Sequence, residues 1–162
     1  MALKQMRPAQ REGLCATPSR NATESASQTF ERGAILIRNV GRLEEATNDA
    51  STVGTIVGVA EEGGANAAVG AAVRYTPALP HIVFEANIET TPATQRVLAQ
   101  TDLFTAFALA VDADGVWYLD ASDAVTANRR CVVVGFRDDV GTAEGRAYVS
   151  FIPERTVYSP DL

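Results

Sequence analysis

The stretch VDADGVWYLDASD (Val111–Asp123) holds four aspartates and the chain's only tryptophan. Carboxylates at alternating positions are what a hard cation such as calcium takes as ligands. Counted from Asp112, however, the position where a calcium loop needs its sharp-turn glycine is Trp117. The position of the closing bidentate glutamate is Asp123, and Gly115 falls two places early. Asp114-Gly115 between two apolar runs has instead the chemistry of a tight hairpin turn, because glycine takes φ > 0 freely. The stretch therefore predicts a strand to Val111, a turn at Asp114-Gly115 and a returning strand over Val116 to Leu119. A hard cation held at the crowded tip, near Asp112 and Asp114, is the alternative.

Other reactive side chains are isolated. His81 is the only histidine, and neither a Gly-x-Ser-x-Gly elbow nor an activating motif around Cys15 or Cys131 accompanies it. The glycines of VGVAEEGGANAAVG resemble a phosphate cradle in number only. They lack Gly-Lys-[Ser/Thr], and two glutamates stand where an anion would be repelled, so they predict a turn. Phe84, Phe104, Phe107, Trp117, Tyr118, Phe136, Tyr148 and Phe151 lie among mostly acidic neighbours, which favours core packing over base stacking. The residues predict no enzyme, no cofactor and no bound metal.

The elements that hold these residues are short strands. GAILIRN and RLEEAT form a hairpin about NVG, with Leu43 inward; VGTIVGVAEEGG supplies a buried strand ending in a double-glycine turn. AAVGAAVRYTPALP is a strand pair or an irregular excursion, since Pro77 and Pro80 bar a helix. In HIVFEANIET the residues Ile82, Phe84, Ala86 and Ile88 share one face. The one helical candidate opens at Thr91 and Pro92 and reads as a short helix or a loop up to Gln100, followed by a strand from about Phe104 to Val111. CVVVGF, nearly continuous in apolar residues, predicts a central strand buried on both faces, paired with RAYVSFI across RDDVGTAEG. No internal repeat is visible. Turn signals every 8 to 12 residues indicate an all-β, small barrel or sandwich.

The chain has 162 residues, 46% hydrophobic and 21% charged, enough for one domain with a core and an appendage. No run of about 18 apolar residues suggests a membrane span, and the N-terminus has no apolar stretch of a secretory signal. The expectation is a soluble protein made in the cytosol, with both cysteines as free thiols. The sequon at Asn21 then carries no meaning.

Residues 1–29 read as an appendage, and 30–162 as the β-rich domain. The first segment is rich in Ser, Thr, Ala, Gln and Pro, too polar to fold alone. It is either a disordered tail or an extended arm that orders on a partner through Leu3, Met6, Leu14 and Phe30. Up to Arg20 it carries Lys4 and three arginines against Glu12 alone, while the whole chain has net charge −6. A basic arm on an acidic body suits an acidic protein surface and does not suit a phosphate backbone.

FERGAILIRNVGRLEEAT leading into VGTIVGVAEEGG, then TDLFTAFALAVDADGVWYLD and CVVVGFRDDVGTAEGRAYVSFI, resembles the capsid decoration (cement, head-stabilising) proteins of tailed bacteriophages. The resemblance covers about residues 30–152 and is one of texture and element order. It implies a structural virion protein on the outer capsid surface, made in the host cytoplasm. Its partners would be the major capsid protein and copies of itself, as a trimer or dimer, with no nucleic acid and no membrane. The capsid-contacting arm would then offer Leu3, Arg7, Arg11, Leu14, Arg20 and Phe30, and deleting residues 2–28 should leave the domain folded. A single-stranded nucleic-acid-binding barrel is the alternative.

Overall fold

Asp112 closes the turn that Asp114-Gly115 predicts. Its Oδ1 accepts the N–H groups of Asp114 (2.9 Å) and Val116 (2.8 Å), and Gly115 sits at φ 77°. Asp120 accepts from Ser122, and Asp123 from Val125 and Asn128, so these carboxylates shape their own loops. The surrounding fold is given by a computed structural model, which describes residues 5–9, 18–47, 55–66, 69–90 and 96–158.

Eleven strands are described: β1 (Arg7–Pro8), β2 (Arg20–Thr23), β3 (Ile35–Asn39), β4 (Arg42–Glu45), β5 (Ile56–Ala60), β6 (Ala72–Pro77), β7 (Phe84–Glu89), β8 (Ala106–Val111), β9 (Trp117–Asp120), β10 (Cys131–Phe136) and β11 (Arg146–Phe151). The C-terminal unit is a closed five-stranded barrel in the order β7-β11-β10-β8-β9, its ends joined by the parallel pair β7–β9. Closure satisfies the backbone groups that an open sheet leaves at its edges. The N-terminal unit is a five-stranded sheet in the order β2-β6-β5-β3-β4. Its edges meet through the parallel bridge Glu24–Leu43, where Ser25 N–H donates to the Leu43 carbonyl at 2.9 Å.

These two strand orders are the same order, shifted by five strands. The match extends to register. Ala22 faces Val73 as Ala86 faces Ala147, and Glu24 bridges Leu43 as Ile88 bridges Leu119. Arg38 faces Leu43 as Leu109 faces Leu119, and Leu36 faces Gly58 as Phe107 faces Cys131. Gly58 then faces Pro77 as Cys131 faces Phe151. The fold is thus an internal duplication, contrary to the expectation of no repeat. At the register-matched positions the same residue recurs only at Ala22/Ala86, Leu43/Leu119 and Val59/Val132. Sequence comparison of the halves has little to find.

Residues 7–9 and 156–157 cross between the units. β1 pairs with β7 of the C-terminal unit, and Ala9 N–H donates to the Val83 carbonyl at 2.8 Å. At the other end Thr156 bridges Ile56 of the N-terminal unit, and Val157 N–H donates to the Ile56 carbonyl at 2.9 Å. A continuous apolar core runs through both units and includes Met6 and Phe30. Trp117, buried in the C-terminal unit, donates its Nε1–H to Glu45 of the N-terminal one at 3.1 Å.

Several expectations are corrected here. The described parts of residues 1–29 do not stand apart, because β1, β2 and Glu24 are built into the two units, so residue 30 marks no structural boundary. Deleting residues 2–28 would therefore remove two strands and the buried Met6. Of the span expected to be a short helix or a loop up to Gln100, Arg96 to Ala99 are extended, as the loop alternative has it: Val97 bridges Ala143 and Leu98 N–H donates to the Thr142 carbonyl. Only a 3₁₀ turn at Gln100–Asp102 follows, while residues 91–95 lie outside the described residues. Arg96 is drawn off a helical path because its backbone N–H donates to Glu89 and its guanidinium to Asp102. CVVVGF is central but half-buried at Val132 and Val134, whereas β7 is buried on both faces. Phe104, expected in the core, is 76% exposed. Cys131 is a buried free thiol; Cys15 lies outside the described residues.

Candidate interaction site: an arginine-rimmed groove between the units

The second face of β7 carries Glu85, Asn87 and Glu89, which alternation alone would place in solvent. All three are buried. Burying a carboxylate demands partners, and β1 supplies the first for Glu85. Arg7 donates from Nε (3.0 Å) and Nη2 (2.9 Å) to Glu85 Oε2. Arg146 on β11 donates to the same oxygen at 3.2 Å, and Arg137 approaches Oε1 at 3.6 Å. Arg146 is held in turn by Asp138, whose Oδ2 accepts its backbone N–H at 2.9 Å and its Nε–H at 3.2 Å. Burial alone would raise the Asp138 pKa, but the Arg146 N–H and the Arg146 and Arg137 guanidiniums outweigh it and hold the carboxyl below its ordinary range.

Across from this cluster Arg74 on β6 pairs with Glu61 at 3.0 Å, and Glu61 also accepts from Ser19 and Thr76. Between the two sets lies a groove of about 650 Å³ whose lining includes Arg7, Arg32, Arg74 and Arg137 against Glu61 and Glu85, with Tyr148 among them. A smaller hollow of about 300 Å³ continues it past Arg7 and Arg32 toward Arg146. Arg32 is exposed and has no acidic partner among the described residues. The lining thus has an excess of guanidinium over carboxylate on a chain of net charge −6. Guanidiniums fixed by neighbouring carboxylates are preorganised to take a carboxylate or another oxyanion through paired N–H groups.

A second polar cluster closes one end of the C-terminal unit. Arg96 grips Asp102 with both terminal nitrogens, at 2.8 and 2.5 Å, and Asp102 also accepts the Ala99 N–H. The Asp102 side chain raises the Arg96 pKa. Glu89 accepts the Arg96 N–H through Oε2, while its buried Oε1 has no hydrogen-bond partner among the described residues. Burial pushes the Glu89 carboxyl above its ordinary value, with Glu144 acting in the same direction and Arg96 opposing.

Of the residues expected to contact a partner, Arg7 lies in the groove. Arg20, exposed on β2, stands with its guanidinium carbon 5.6 Å from the centre of the Tyr158 ring. Phe30 is 4% exposed and belongs to the core, so it is not a contact residue. Leu3, Arg11 and Leu14 lie outside the described residues. The sequence reading missed Arg32, Arg74, Arg137, Arg146 and Glu85, which are scattered singly along the chain. The one local signal was the polar second face of FEANIE. No protein-family model matches the chain, and no curated protein matches it.

Proposed function

We propose that the protein is a structural virion protein that binds the outer surface of a phage capsid and stabilises contacts between major capsid subunits. The observation that supports this most is the arginine-rimmed groove, set between two units joined by β1 and by Thr156 and Val157. Its occupant on this reading is an acidic segment of a capsid subunit. Such charge complementarity orients docking and makes it sensitive to salt. A two-unit body spanning a joint adds buried interface there, and ligand binding to the assembled state shifts its stability by mass action. Self-association as a trimer or dimer belongs to the same proposal.

The groove arginines also bear on the alternative of a single-stranded nucleic acid, since they would attract phosphates. Base stacking, however, needs exposed aromatic faces; Tyr148, which lines the groove, is half-buried, and the exposed Phe104 does not line it. The experiment is addition of the protein to purified heads that lack it, with occupancy read by gel and cryo-microscopy. Saturable occupancy of the outer surface is expected. Empty heads, together with salt-sensitive retention on an oligonucleotide column, would transfer the groove to nucleic acid.

A further inference from the structure

The duplication provides an internal control for one exposed residue. Leu36 matches Phe107 in register, so Gly33, three residues earlier, matches Phe104. Hydrogen bonding agrees: Gly33 N–H donates to the Ala60 carbonyl and Phe104 N–H to that of Val133, both at 2.9 Å. Both residues have positive φ, 92° and 62°. In the N-terminal unit the chain's own extended segment covers this position. A Cβ on Gly33 would lie 2.9 Å from both the Gln5 Cβ and the Met6 carbonyl oxygen, which accounts for the glycine. In the C-terminal unit no described segment covers the position. It carries a phenylalanine, 76% exposed, in a backbone conformation that bulky side chains disfavour.

The loop around Phe104 is firmly held. Thr105 N–H donates to the Asp102 carbonyl and Thr105 Oγ1 to that of Thr101, and Asp102 is clamped by Arg96. Leu103 packs against the core while Phe104 projects outward. Two more exposed apolar residues, Val97 and Val140, sit on loops joined to each other where Gly141 N–H donates to the Leu98 carbonyl. Beside Val140, Asp139 is exposed and has no ion pair among the described residues.

We propose that Phe104 is an aromatic anchor that inserts into an apolar socket on a capsid subunit. The partner rests on the functional reading above; the anchor rests on the exposed ring, carried by a hydrogen-bonded loop, at a site whose duplicate is glycine. A preorganised aromatic side chain brings apolar area to an interface with little ordering cost, as binding hot spots do.

The test compares wild type with Phe104→Gly and Phe104→Asn, both of which tolerate positive φ, in binding titrations on purified heads and in thermal melts. Melting temperatures equal to or above wild type are expected, with affinity for heads reduced on the order of tenfold or more. If wild type binds heads and both variants bind equally well, the anchor is overturned and the functional reading stands. A lower melting temperature in both variants would make Phe104 a packing residue and also overturn it. If wild type leaves heads bare, the functional reading falls and takes the capsid anchor with it.

Discussion

Replacing Glu85 by glutamine leaves the shape of the groove floor intact and removes the charge that Arg7, Arg137 and Arg146 share. Glu85 and Arg146 have side chains 8% and 11% exposed, so theirs is a nearly dry pair. Breaking such a pair from one side costs about 3–5 kcal/mol, because the remaining charge stays buried. Two features reduce that figure. Glutamine keeps one acceptor oxygen, and Arg146 retains Asp138. Arg7 contributes little to the sum, since its side chain is 53% exposed and well screened by solvent. We expect a net loss of about 2–3 kcal/mol. For a chain of this size each kcal/mol moves the melting temperature by about 2–4 °C, so E85Q should melt about 4–12 °C below wild type. The deficit should persist in 0.5 M salt on the order expected for buried charges, which added ions screen weakly. Arg7→Ala, measured alongside by differential scanning fluorimetry, should cost less than E85Q. A melting temperature for E85Q within the error of wild type would refute the argument that these guanidiniums depend on the Glu85 charge.

Glu89→Gln should stabilise the protein at neutral pH. The folded state holds the Glu89 proton more tightly than the unfolded chain does, so the wild type loses stability as pH rises from the ordinary value of 4.5 through the raised one. The gap between variant and wild type in melting temperature should open over that interval and vanish below it. Asp138→Asn should behave oppositely, destabilising at neutral pH and converging with wild type as acid protonates the carboxyl, whose folded-state pKa is lowered. Trp117→Phe removes the hydrogen bond to Glu45 between the units and should cost about 1–3 kcal/mol in a urea titration. In a Cys15→Ser background the buried Cys131 thiol, whose pKa burial raises strongly, should resist a thiol reagent until the protein is unfolded.

Much of the fold was legible because strand periodicity and turn chemistry are local. Asp114-Gly115 set a hairpin, Leu43 pointed inward, and VGTIVGVAEEGG held a strand buried along its whole length. The duplication was not legible, since a barrel position asks only for an apolar side chain of suitable size. Leu36 and Phe107, or Tyr75 and Val149, meet the same demand without resembling one another. The N-terminal segment misled for a related reason: its polar composition is that of an unfolded tail, yet its backbone completes strands whose apolar faces come from distant residues. The groove was hidden because its arginines come from five separate places in the chain, and only folding brings Arg7, Arg137 and Arg146 to Glu85 and sets Arg74 and Arg32 beside them. Phe104 misled in the other direction, because an aromatic in an apolar run has the same local pattern whether it faces the core or the solvent.

Arg32 offers the most direct test of the groove as the docking site, because it has no acidic partner among the described residues and its replacement disturbs no described ion pair. Co-sedimentation of wild type and Arg32→Glu with purified heads should be measured at low and high salt. The account predicts saturable wild-type binding that weakens with salt, and binding by Arg32→Glu weaker on the order of tenfold or more, at unchanged melting temperature. Salt-independent wild-type binding, with Arg32→Glu binding equally well, would contradict it.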